Sequence, residues 1–61
     1  MTRAQKIAAC IKKNSDEYKN GIIDYELYTL TLNYINDAVQ TGREEDLDGV
    51  MKVLEVDTSG E

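Results

Sequence analysis

Few residues in this chain are able to do chemistry. Cys10 is its one thiol, and Lys6 and Lys13 flank it at helical spacing, an arrangement that lowers a thiol's pKa and raises its reactivity. No histidine is present to act as a base, so nucleophilic triads and imidazole acid–base catalysis are excluded and Cys10 reads as a small structural thiol. A second set is cationic. Arg3, Lys6 and Lys13, repeated by symmetry in an oligomer, could gather a small anionic ligand such as a nucleotide. The four glycines are scattered and form no phosphate-cradling loop, so no cofactor is expected.

The third set is acidic. Glu44, Glu45, Asp46 and Asp48 could in principle supply an acid and a base, but tuning such a pair needs a cleft that 61 residues hardly provide. They read as a solvated face, and the chain as a non-enzyme. Residues 44–55 nevertheless resemble the twelve-residue EF-hand calcium loop, with acids at loop positions 1, 3 and 5, Gly49 at 6, Met51 at 8 and Glu55 at 12. The resemblance implies Glu44, Asp46, Asp48 and Glu55 as metal ligands. It departs from the family at Glu44, where an Asp is usual, at Lys52 in the ninth position, and in having only six residues after Glu55. An amphipathic helix opened by acids explains the same apolar spacing and is the preferred reading, with Arg3, Lys6 and Lys13 pairing with that helix rather than with a ligand.

The charge pattern bears on partners. The net charge is −5, which repels phosphate backbones and argues against direct nucleic-acid binding, and two further acidic helices would make poor recognition helices. Residues 1–20 hold five bases against two acids, whereas residues 21–61 hold two bases against ten acids. The halves are complementary. An acidic nucleic-acid mimic is a lesser alternative. A lone cysteine suits a reducing, cytoplasmic setting, and neither a membrane span nor a signal-peptide core is evident.

Three helices must position these groups. Thr2 and Gln5 are spaced as a capping box for helix 1, which should run from Arg3 to Lys19 with Ala4, Ile7, Ala8, Ile11, Ser15 and Tyr18 on its apolar face. Asn20-Gly21 and Thr41-Gly42 are polar-Gly pairs that end helices through a left-handed residue. Helix 2 should start from the cap Asp24 and reach Gln40, and helix 3 should span Glu44–Glu55. The valines at 50, 53 and 56 leave a short extended segment near Val53–Asp57 as an alternative. Residues 1–57 thus read as one all-α mini-domain, a helical hairpin plus a short third helix, with 58–61 a frayed polar tail.

Helix 2 is the informative element. Ile23, Leu27, Leu30, Tyr34 and Ala38 form one apolar stripe, and Tyr25, Tyr28, Leu32, Ile35 and Val39 form a second nearly opposite. Such a helix needs two partners, and at this length a core rarely supplies more than about 3–5 kcal/mol without help. Homo-oligomerisation is therefore expected to complete the bundle. The second stripe is the expected interface with another copy or with a different protein, because Tyr is suited to interface edges. The functional expectation is a small protein-binding regulator or inhibitor, a design common among phage and mobile-element products by analogy of size and charge alone.

Overall fold

The computed structural model describes residues 2–56, which form three helices and no strand: α1 (Arg3–Lys19), α2 (Tyr25–Thr41) and α3 (Glu44–Leu54). Each helix packs against both others. Local chemistry sets the boundaries. The Gln5 amide donates to the Thr2 hydroxyl (3.2 Å) and the Thr2 amide donates to Gln5 Oε1 (2.8 Å), which closes the capping box. At the other end of α1 the Ile22 amide donates to Glu17 O (2.9 Å) and the Gly21 amide to Tyr18 O (3.1 Å), the paired bonds of a Schellman turn. Gly21 (φ 74°) and Gly42 (φ 73°) take the left-handed conformation that each reversal requires. Asp24 caps α2 by accepting from the Leu27 amide (2.8 Å).

The core consists of Cys10, Ile35, Ala38, Leu47, Val50, Met51 and Leu54, with Ile7, Val39 and Val56 packed against it. The short α3 is its centre, since Leu47, Val50, Met51 and Leu54 all point inward at helical spacing. Val53 and Leu54 form the last positions of that helix and Glu55 ends it in a left-handed conformation (φ 57°), so residues 53–56 contain no extended strand. Asp57 and the tail 58–61 lie outside the described residues.

Two expected faces are rotated. On α1 the buried line is Cys10 and Asn14, with Ile7 beside it, while Ala4, Ala8 and Ile11 are exposed. The cause is α3, which docks on the Lys6 side of α1 and turns the core direction away from α2 alone. On α2 the buried residues are Ile35 and Ala38, which belong to different stripes. That helix meets its neighbours along the edge between its two apolar stripes, so each stripe is only half covered.

One polar side chain shares the core. Asn14 is fully buried, and its Nδ2 donates to the Tyr28 carbonyl (3.1 Å), tying α1 to α2. Its Oδ1 is buried without a hydrogen-bond partner among the described residues.

Candidate functional site

The cationic and acidic sets come together in one cluster. Lys6 donates to the Glu44 carboxylate and to Asp48 Oδ1 (3.0 Å), while Arg3 reaches Glu44 Oε2 (3.4 Å) and the Val39 carbonyl (3.4 Å). Acids at the start of α3 sit at the positive end of its dipole, and the bases of α1 face them across the helix–helix seam. The Glu44 carboxyl is held below its usual range, chiefly by the hydrogen bond from Lys6, and the Lys6 ammonium is held above its own by Glu44 and Asp48. Two of the three bases considered for an anionic ligand are thus neutralised within the chain. Lys13 lies two turns further along α1 and is half-buried.

The acids considered as metal ligands do not converge. A calcium loop folds back on its ion, but Glu44–Leu54 is a continuous helix, in which Glu44 and Asp48 turn to Lys6 while Asp46 accepts from the Thr41 hydroxyl (2.8 Å). Among the described residues no group of three or more His, Cys, Asp or Glu is placed to hold a metal ion. Burial raises the Cys10 thiol above its ordinary pKa, the opposite of the expected effect of Lys6, which is turned toward α3.

The five residues expected at an interface are divided. Ile35 is inside the chain's own core; Val39 and Tyr28 are half-buried; Leu32 and Tyr25 are exposed. Tyr28 stacks on Tyr18 with ring centroids 4.6 Å apart, and Tyr25 lies 6.0 Å from Tyr18 and 6.3 Å from Tyr28. These rings join α1 to α2 beside the turn. Leu32, Ile35 and Val39 instead line a groove of about 430 Å³ with Ile7 and Ile11 of α1.

The long sides of that groove are uncharged, and Arg3, bonded to the Val39 carbonyl, stands at one end of it. Ala4, Ala8, Ile11 and Ser15 run along the α1 side at helical spacing, and Asn33 and Asn36 border the α2 side. The opposite flank of α2 differs. Ile22, Leu27, Leu30 and Tyr34 are all exposed there, Leu30 by 58%, and together with the half-buried Ile23 they form a continuous outer seam. The apolar pattern of α2 points to its other stripe as the interface and does not single out this one. The signal available was the charge pattern: between Lys19 and Arg43 no basic residue occurs, while Asp24, Glu26 and Asp37 do.

No family model matches the chain, and neither curated proteins nor solved structures provide a relative. No helix among the described residues is long and apolar enough to cross a membrane.

Proposed function

We propose that this chain is a small non-enzymatic regulator or inhibitor that acts by binding another protein, and that it self-associates. The observation that carries this reading is the imbalance of α2 and its preceding turn, where Ile22, Tyr25, Leu27, Leu30, Leu32 and Tyr34 are exposed against two buried residues. Scattered surface leucines need no explanation, but two contiguous apolar strips on one short helix do. The uncharged long sides make the α1–α2 groove the suitable place for a second copy, since a two-fold axis across them sets no like charges against each other, and Arg3 at its end is paired with Glu44. The cytoplasm, where Cys10 stays reduced, and a phage or mobile-element origin belong to the same proposal and rest on composition and size.

An anion-sequestering protein is the weaker reading because Arg3 and Lys6 are already paired. Sedimentation velocity tests the preferred one. The wild-type chain should sediment as a dimer or larger species, and Ile11→Lys with Leu32→Lys should return it to a helical monomer. A monomeric wild type across the micromolar range removes self-association from the proposal.

A further inference from the structure

We infer that the outer seam of α2 is a docking site for a cationic amphipathic helix of a partner protein. This rests on the proposed protein-binding function and names the chemistry of its target. Leu27, Leu30 and Tyr34 of α2 repeat at intervals of three and four, the knob spacing with which one helix lies along another, and Ile22 and Ile23 of the preceding turn extend the strip. At its far end the seam meets α3, where Asp46 accepts from the Thr41 hydroxyl at the end of α2. Tyr34, Asp37, Thr41 and Asp46 border a single hollow at that end.

Charge selects the occupant. Glu26 and Asp37 are eleven residues apart, three helical turns, and form an acidic row along one edge of the seam. Asp24 stands at its start and Asp46 at its far end, and α2 itself carries no base. A second copy is a poor occupant. Antiparallel pairing on this seam would set each Glu26–Asp37 row against its equivalent, and parallel pairing would set Asp37 against Asp37. An anionic lipid surface is repelled for the same reason. A helix with Leu or Ile at such spacing and Lys or Arg at its flanks satisfies both the apolar strip and the carboxylates.

The probe is a fluorescent synthetic helix of about 18 residues, long enough to hold helical structure, with Leu at seam positions and Lys at the flanks. Its control carries Glu in place of Lys. Anisotropy titrations at moderate salt should give saturable binding of the Lys peptide and at least about tenfold weaker binding of the Glu peptide. Leu30→Asp makes the protein more acidic, so diffuse attraction would strengthen binding, whereas seam docking predicts a loss of about tenfold or more. Ile11→Asp, on the α1–α2 groove, should bind as wild type does. Glu26→Lys with Asp37→Lys should invert the peptide preference.

Circular dichroism checks that each variant stays helical, and Leu27→Asp replaces Leu30→Asp if that variant unfolds. Equal binding of both peptides, undiminished binding by Leu30→Asp, or a loss confined to Ile11→Asp overturns the assignment. So does a fall in native mass on Leu30→Asp, which would give the seam to a second copy, or binding to phosphatidylserine vesicles in place of the peptide. A wild type that self-associates through Ile11 and Leu32 but ignores the Lys peptide loses only this inference. A monomeric wild type that ignores it loses the proposed function as well.

Discussion

The seam between α1 and α3 and the outer face of α2 are both rich in aliphatic residues, yet they are built differently. Along the first, Cys10, Leu47 and Val50 are fully buried, and the Arg3, Lys6, Glu44 and Asp48 cluster closes the edge over them. Along the second, Leu27, Leu30 and Tyr34 are exposed beside carboxylates that have no cation on their own helix. The difference separates side chains that hold the fold from side chains that do not. Apolar content alone cannot tell them apart, but the company of opposite charge can: complementary charges mark the sealed edge and like charges mark the open one.

The largest test of that contrast removes the same atoms from each region. Leu47→Ala should cost about 2–5 kcal/mol, as for a leucine in a close-packed core. That is comparable with everything a core of this size supplies, so the variant should be largely unfolded by circular dichroism. Leu30→Ala, with Leu30 58% exposed, should stay within about 0.5 kcal/mol of wild type in urea titrations at a concentration where the chain is monomeric. Equal losses would mean that the outer face contributes to the fold and is not free to bind.

Asn14 provides a finer test of the sealed side. Asn14→Ala forfeits the bond to the Tyr28 carbonyl and opens a void, for a loss of about 1–3 kcal/mol. Asn14→Leu fills the volume and removes the unpartnered Oδ1, and the Tyr28 carbonyl keeps its place in the helix ladder. The leucine variant should therefore be the more stable of the two by about 1 kcal/mol or more. Equal unfolding midpoints would show that the buried oxygen carries no desolvation cost.

The backbone offers a smaller effect. Gly49 sits inside α3 with open space where a Cβ would go, so Gly49→Ala should add about 1 kcal/mol through helix propensity. Gly42 has equal space but a φ of 73°, and Gly42→Ala should lose about 1 kcal/mol to backbone strain. Thermal melts of the two variants should move in opposite directions. A rise for Gly42→Ala would refute the left-handed turn there, and a fall for Gly49→Ala would refute the open helical position.

The ends of α1 and α2 were legible because they are local chemistry: Thr2 with Gln5, Asp24, Gly21 and Gly42 each act within a few residues, whereas α3 has no side-chain cap at Arg43 and stops at Leu54 before a left-handed Glu55 that no glycine marks. The pairing of Arg3 and Lys6 with α3 was legible as charge complementarity. The direction of burial was not. Helical periodicity locates apolar stripes to within about one residue's rotation, and α2 has apolar side chains on both sides of the edge that faces the core. Only the docking of α3 decides that Ile35 and Ala38 go inside while Leu32 and Leu30 stay out. Asn14 escaped notice for a related reason. A carboxamide on the core line of α1 looks like solvent-facing polarity until the Tyr28 carbonyl is known to lie opposite.

The smallest expected effect is the pH dependence of the ion cluster that closes the sealed edge. The lowered Glu44 carboxyl contributes stability above its ordinary value of 4.5, and that contribution is lost as pH falls through the lowered value. The raised Lys6 ammonium contributes below its ordinary value of 10.5, and that contribution is lost as pH rises through the raised value. Between these limits Glu44 and Lys6 are both charged and their contribution is flat. Lys6→Met keeps an apolar stem of similar length and removes the charge, so Glu44 retains Arg3 alone. Its urea midpoint should lie below that of wild type on the plateau and converge with it as acid protonates Glu44. Groups that do not touch Lys6 are the same in both proteins, so the difference between the two curves isolates this cluster. A constant offset from pH 7 down to pH 2 would show that Lys6 acts through packing alone, and the sealed edge would then owe nothing to charge.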